Sequence, residues 1–301
     1  MRPERAPEAI LSHPSWKDGI RALQNPAWPL LRLSAILFLT GPFDSLEDLA
    51  QELPSPIDLD GVTYQDPTKT VLEHLDCIKR LSEIKTGRPS AGPPMILSET
   101  GDLLDPMETA LALIHQETLE KELERANSLL CAPCGCALCC TGPSPGSHKL
   151  FFEIPLLEAE CALFPLTVID TPKSQVLTSG DEPPLIFSGR PFYEGEPGIY
   201  RWSNGPSLIL PVGTRCPSLE ETGRCRIYSA RPRVCRLPQI FSVVVERDGE
   251  KLVRRNRLLA VWDCPYVRAL TDEIETYARR NGLAVVYREN KGEHGSFMTQ
   301  A

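Results

Sequence analysis

The sequence predicts an α+β protein in which a helical N-terminal region precedes a cysteine-rich, loop-rich module with a β-hairpin and a C-terminal helix. Three observations predict this order. Apolar residues recur mostly at helical spacing in the first hundred residues, five cysteines lie between Cys131 and Cys140, and an Asp-Gly turn at Asp248 separates two β-rich segments. We therefore expect two domains, at residues 1–104 and 105–301.

Composition and charge narrow the class of protein. The chain has 301 residues, of which 42% are hydrophobic, so it is long enough for one large domain or two ordinary ones. Its formal net charge of −8 argues against a uniformly basic nucleic-acid-binding surface. No apolar segment approaches the roughly 20 residues of a bilayer span, and no secretory signal opens the chain. We expect a soluble, cytoplasmic protein that binds neither membranes nor nucleic acid.

The N-terminal region contains two short helical patterns and a linker. Leucines at helical spacing predict a helix at 46–53, capped by Asp44 or Ser45. A second helix is expected at 68–84, because Pro67 stands at the position that proline favours at a helix start. Residues 87–94 are rich in Gly, Pro and Ser and predict the linker between the two domains.

The C-terminal domain is expected to begin with a long helix, from Asp105-Pro106 to Leu130. Residues 131–145 are mostly Cys, Gly and Pro and cannot form a regular element, and 150–210 predict short strands and loops. The segments 240–246 and 251–262 flank Asp248-Gly249 and predict a hairpin. A closing amphipathic helix is expected at 266–281, ended by Gly282.

Nine of the eleven cysteines are candidate metal ligands. Cys77 and Cys161 lie in apolar stretches and are expected to be small core residues. The other nine lie in loops or at segment ends, and Cys-x-x-Cys spacing lets two thiolates converge on one ion. Nine thiolates exceed the four that one structural zinc needs, so we expect two sites, or one iron–sulfur cluster and a second ion. The candidate ligands are Cys131, Cys134, Cys136, Cys139, Cys140, Cys216, Cys225, Cys235 and Cys264.

Basic residues surround the downstream cysteines. Between Arg215 and Arg257 the chain has eleven basic and five acidic residues. Such arginines offset the negative charge of a thiolate-bound ion through attraction and N–H···S contacts. The alternative interpretation is a solvated basic loop or a polyanion-binding patch. The arginines in question are Arg224, Arg226, Arg231, Arg233 and Arg236.

The segment from Cys216 to Arg236 resembles the second half of the YkgJ-like family, a zinc- or iron-chelating cysteine-cluster domain. The family pattern also has an upstream Cys-x-x-Cys-x-x-Cys-Cys. Two alignments of that pattern remain open here, because Cys136 is inserted: either the ligands are Cys131, Cys134, Cys139 and Cys140, or Cys136, Cys139 and Cys140 match and an earlier cysteine is displaced. The downstream positions that match are Cys216, Pro217, Cys225, Ile227, Tyr228, Arg231, Pro232, Cys235 and Arg236.

The resemblance implies that the protein binds metal ions, zinc or iron, through cysteine thiolates. Iron could be bound as a 4Fe-4S cluster. A similarity to the flagellin lysine methylases, which bind an iron–sulfur cluster and use S-adenosylmethionine, gives a second hypothesis: an iron–sulfur-dependent enzyme acting on a protein substrate. No Gly-rich strand-to-helix motif for S-adenosylmethionine is visible. A third hypothesis is a structural zinc module that binds a protein partner. Whether the protein is an enzyme stays open at this point.

Overall fold

The computed structural model describes residues 13–87, 94–237 and 239–288, and it confirms the predicted α+β class. The helices are α1 (Pro14–Gln24), α2 (Trp28–Thr40), α3 (Leu46–Glu52), α4 (Pro67–Glu73), α5 (Leu75–Ile78), α6 (Arg80–Thr86), α7 (Pro106–Cys134), α8 (Arg233–Arg236), α9 (Pro265–Ala269) and α10 (Thr271–Arg280). Across the described ranges, every helix is too short or too polar to cross a bilayer.

Twelve strands form small sheets within the described residues. They are β1 (Ile57–Leu59), β2 (Val62–Tyr64), β3 (Ile96–Leu97), β4 (Phe151–Pro155), β5 (Val168–Ile169), β6 (Ile186–Phe187), β7 (Arg190–Pro191), β8 (Gly198–Trp202), β9 (Gly205–Pro211), β10 (Ile240–Asp248), β11 (Lys251–Val261) and β12 (Ala284–Arg288). The predicted hairpin is confirmed as β10 and β11, whose turn includes Gly249 at φ +61°.

The chain divides into two compact units whose boundaries differ from the predicted one at residue 104. The first unit contains the described residues up to 133 together with 239–262 and 266–288, and the second contains 134–237 and 263–265. The prediction placed the hairpin with the cysteines, whereas the hairpin belongs to the first unit. Pairing explains the correction, because β3 lies parallel to β11 in one sheet. The predicted linker at 87–94 falls mostly outside the described residues.

The first unit has a helical core and one mixed sheet. β10 and β11 pair antiparallel, and β12 and β3 each pair parallel to β11. Seven of the thirteen residues of helix α2 are buried, and its apolar residues pack with those of α3 and the β1–β2 hairpin. The largest fully buried side chains of the unit include Trp16, Phe38, Ile114, Tyr266 and Tyr277.

Two predicted helices are interrupted. The segment predicted as one helix at 68–84 forms α4, α5 and α6, with a break at His74, whose φ of −117° is not helical. The closing helix divides into α9 and α10 at Leu270, whose φ is likewise −117°. The long helix extends beyond its predicted end at Leu130 to Cys134, and the cap of α3 is Ser45, which accepts a hydrogen bond from the Asp48 amide.

A half-buried carboxylate links three segments of the first unit. Glu122 of α7 accepts hydrogen bonds from the Ala27 amide at 2.6 Å and from the Tyr277 hydroxyl at 3.0 Å. Burial raises the pKa of Glu122 to about 7, although these two donors oppose the shift. The folded protein therefore holds a proton at Glu122 that the unfolded chain releases near pH 4.5.

This raised pKa predicts how stability depends on pH. Between the unfolded pKa and the folded pKa the native state binds more protons, so the contribution of Glu122 to the free energy of unfolding falls as pH rises from 4.5 to about 7. Glu122→Gln should flatten the stability curve over this window, as measured by urea unfolding at several pH values. An unchanged slope in the variant would contradict the assignment.

The second unit is built on a four-stranded sheet in the order β4-β9-β8-β5, with the last pair parallel. On one face, Leu208 of β9 packs with Leu156, Cys161 and Phe164, and the other face carries an aromatic cluster that includes Trp202. The loops that contain the cysteines enter and leave this sheet. β4 follows the upstream cysteines directly, and β9 precedes the downstream cysteines.

Candidate metal centre

Main-chain hydrogen bonds join the upstream and downstream cysteine segments. The Cys216 amide donates to the Cys140 carbonyl at 2.8 Å, and Thr141 forms an antiparallel bridge with Arg215. The Gly142 amide donates to the Thr214 carbonyl at 2.9 Å. Two segments more than seventy positions apart in the sequence therefore share a short ladder, and each carries cysteines at its end.

Gly142 allows this close approach. A Cβ at this position would lie 2.0 Å from the Pro211 carbonyl oxygen, which is backbone and cannot move aside cheaply. We expect Gly142→Ala to separate the two cysteine segments and to lower the melting temperature. Gly180→Ala is the matched control, because its nearest neighbour would be 4.0 Å away. Equal melting temperatures for the two variants would show that the ladder does not depend on Gly142.

Five cysteines of the second unit form what we call the five-thiol group: Cys139, Cys140, Cys216, Cys225 and Cys235. The sulfurs of Cys139 and Cys140 lie 3.9 Å apart. Two thiolates on one tetrahedral zinc, each with a Zn–S bond of about 2.3 Å, would be separated by about 3.8 Å. Cys139 and Cys140 stand in a single 3-10 turn, Leu138–Cys140, in which successive side chains are rotated by about 120°.

Electrostatic interactions place the other three sulfurs near this pair. Burial raises the pKa of Cys216, and the charges of Cys225 and Cys139 raise it further. The pKa of Cys235 is also raised, by burial and then by Cys139 and Cys216. The Cys140 thiol donates a hydrogen bond to Cys139, which lowers the pKa of Cys139 and raises that of Cys140. The thiolates disfavour one another, and a bound cation would remove that repulsion.

Arg231 is an arginine whose charge acts on these thiols. It is buried, its guanidinium lies 3.7 Å from the centre of the Tyr228 ring, and its Nε donates to the Tyr228 carbonyl at 3.0 Å. Its positive charge lowers the pKa of Cys139 and of Cys235, although larger effects outweigh it at Cys235. Arg226 donates to the Pro217 carbonyl at 2.9 Å and thereby fixes the loop between Cys216 and Cys225.

Three further cysteines form what we call the three-thiol group: Cys134, Cys136 and Cys264. It interacts electrostatically with the five-thiol group, because the charge of Cys136 acts on the thiol of Cys139. The thiols of Cys134 and Cys264 donate hydrogen bonds to the Cys136 sulfur and lower its pKa. Cys136 is exposed at the surface of the second unit, Cys134 is half-buried and Cys264 is fully buried. The sequence predicts all three as ligands but does not separate them from the other candidates.

The remaining three cysteines are not members of either group as defined above. Cys131 is half-buried in the last turns of α7 and belongs to the first unit. Cys77 and Cys161 are buried, as predicted for core residues, and burial raises the pKa of each thiol. Gly142 is the functional position that the sequence analysis misses. Its only signal is the Gly-Pro pair that follows the adjacent cysteines, which by itself indicates a turn.

The cysteine sulfurs are suitable donors for a thiophilic metal, but they are not arranged around a site for an ion. Within residues 13–87, 94–237 and 239–288, no three His, Cys, Asp or Glu side chains are arranged to hold an ion. Soft thiolate ligands select zinc, Cu(I) or iron–sulfur clusters. Four sulfurs of the five-thiol group would therefore have to move closer together before they could bind one ion.

A cavity of about 340 Å³ lies in the second unit, lined in part by Phe187, Arg190, Phe192 and Tyr200. None of the nine candidate cysteines is among the described residues that line it. The Tyr200 hydroxyl donates to the Phe192 carbonyl at 3.1 Å, which fixes one wall. The cavity is thus a feature distinct from the cysteine groups.

Comparison with known proteins adds no relative: the chain matches no family model, no curated protein and no solved structure.

Proposed function

We propose that the protein binds a thiophilic metal, zinc or iron, through four or more sulfurs of the five-thiol group. The observation that carries this proposal is the ladder between Cys140 and Cys216, because it brings thiols from distant parts of the sequence into electrostatic contact. The resemblance of the Cys216–Arg236 segment to the YkgJ-like family supports the same chemistry. Bound zinc would hold the loops together, and a 4Fe-4S cluster would add one-electron chemistry.

Without a metal, it is energetically unfavourable to bury several thiolates close together. This unfavourable free energy is the physical argument for a bound metal. The hydrogen bond to Cys139, and then burial, raise the pKa of Cys140, whereas burial and the charges of neighbouring thiols raise the pKa of Cys216 and Cys235. The apoprotein therefore holds these three sulfurs protonated at neutral pH. A divalent cation displaces those protons and forms bonds whose free energy contributes directly to folding. Arg231, already buried beside the group, would offset the remaining negative charge.

Anaerobic purification followed by metal and sulfide analysis tests the proposal. We expect about one or more equivalents of zinc or iron per chain. Iron with acid-labile sulfide and broad absorbance near ~400 nm would identify a cluster, and measurable binding of S-adenosylmethionine would then favour the modifying enzyme over a simple metal carrier. Zinc alone would favour a structural module that binds a protein partner. A metal-free chain that remains folded and does not take up zinc or iron would contradict the proposal.

A further inference from the structure

The cavity of the second unit has a continuous aromatic wall. The centre of the Tyr200 ring lies 5.4 Å from that of Phe192 and 6.2 Å from that of Phe187, and both pairs meet edge to face. Phe192 and Tyr200 are buried, whereas Phe187 is 37% exposed and lies at the rim of the cavity. Such a wall is the kind of surface against which the ring of a ligand packs.

The β6–β7 hairpin places a cation beside this wall. Phe187 and Arg190 are directly opposite each other in the hairpin, so their side chains lie on the same face. The guanidinium of Arg190 reaches across to Gly195, where a Cβ would lie 3.6 Å from its Nη2 atom. Arg190 and Gly195 both line the cavity, which therefore has a positive charge at its rim.

The rim also carries a negative charge. Glu196 follows Gly195 and lines the cavity, and like Arg190 it is exposed. A ligand with a single charge would meet one like charge at this rim, whereas a zwitterion can pair with both groups. The volume of about 340 Å³ is near the lower limit of about 300 Å³ for small-molecule pockets, so it suits one amino acid better than a nucleotide.

We propose that this cavity binds a free aromatic amino acid whose carboxylate pairs with Arg190 and whose ammonium group pairs with Glu196. The ring of the ligand packs against Phe187 and Tyr200. The planar guanidinium of Arg190 can donate two parallel hydrogen bonds to the carboxylate, which orients the ligand. The nine candidate cysteines lie outside the described lining of the cavity, so this inference does not depend on metal binding.

Calorimetric titration of the full-length protein with L-phenylalanine tests the proposal without any variant. We expect saturable binding of one equivalent with a Kd of about 1 mM or below. Three analogues should each bind at least about tenfold more weakly: 3-phenylpropionate lacks the ammonium group, phenethylamine lacks the carboxylate, and L-alanine lacks the ring. An analogue that binds as tightly as phenylalanine would overturn the proposal, as would the absence of saturation at about 10 mM phenylalanine.

A charge variant locates the binding at this rim. Arg190→Ala should weaken the binding of phenylalanine about tenfold, and Arg190→Lys should recover part of the loss because it keeps the charge without the planar fork. Lys173→Ala is the matched control, since Lys173 is an exposed cation of the same unit outside the described lining. Equal affinities for Arg190→Ala and Lys173→Ala would overturn the assignment of the carboxylate.

A second variant obstructs the cavity. Gly195 has an extended backbone with φ of −105°, which any residue can adopt, so Gly195→Leu should fold and place a side chain against the Arg190 guanidinium. We expect this variant to lose phenylalanine binding while its melting temperature stays close to that of wild type. Full affinity in a folded Gly195→Leu protein would show that phenylalanine binds elsewhere and would overturn the proposal. If Gly195→Leu fails to fold, the analogue series and Arg190→Ala decide.

Discussion

Cys235→Ser is expected to lower the affinity of the protein for zinc or iron by at least about a hundredfold, because it removes one sulfur of the five-thiol group. The released metal should be detected directly by a colorimetric chelator. The melting temperature should fall as well, since metal-binding free energy contributes to folding.

Cys161→Ser is the matched control for this experiment. Cys161 is also a cysteine of the second unit, but it packs in the apolar cluster with Phe164 and Leu208. Its replacement should reduce stability without releasing metal. Equal metal content in wild type and Cys235→Ser would remove Cys235 from the proposed ligand set, whatever happens to the melting temperature.

Asn127→Ala is expected to lower the free energy of unfolding by about 3–5 kcal/mol. Asn127 is buried in the first unit, where its Nδ2 donates to the Ile240 carbonyl at 2.7 Å. Its Oδ1 accepts from the Tyr266 hydroxyl at 2.7 Å and from the amides of Gln239 and Ile240 at 3.3 Å. Alanine would leave several buried polar groups without these hydrogen bonds.

Urea unfolding of the full chain measures this effect. Arg125→Ala is a suitable control, since Arg125 lies on the same helix but is exposed, and its replacement should change stability by less than about 0.5 kcal/mol. A loss below about 1 kcal/mol in Asn127→Ala would mean that water or a neighbouring group replaces the missing hydrogen bonds.

Local patterns predict much of the secondary structure. Asp248-Gly249 identifies the β10–β11 hairpin, and the apolar spacing after Pro106 identifies α7. The short hairpin of β1 and β2 is missed, although Asp60-Gly61 has the left-handed angles of a tight turn there. Three residues per strand are too few for alternation to be distinguished from helical spacing.

The division into units is not predictable from those patterns. It depends on two parallel pairings, of β3 and of β12 with β11, and parallel neighbours can come from any distance along the sequence. Because the hairpin and the cysteines are adjacent in the chain, the sequence predicts that they belong to one domain. Adjacency in sequence does not determine which segments pack together.

The grouping of the cysteines at the candidate site is also not predictable from local sequence patterns. Residue type and spacing predict which cysteines are available, but they leave the grouping open. Cys136 is grouped with Cys264 and Cys139 with Cys235 only after the loops have folded. The role of Gly142 depends on the Pro211 carbonyl, which a local motif cannot anticipate.

X-ray absorption at the metal edge of the anaerobically purified protein tests the central claim most directly. The proposal predicts a first coordination shell made mainly of sulfur, about four atoms at about 2.3 Å for zinc. A shell of nitrogen and oxygen alone would contradict thiol ligation, and a sulfur shell that persists in a Cys216→Ser, Cys235→Ser double variant would show that these sulfurs are not the ligands.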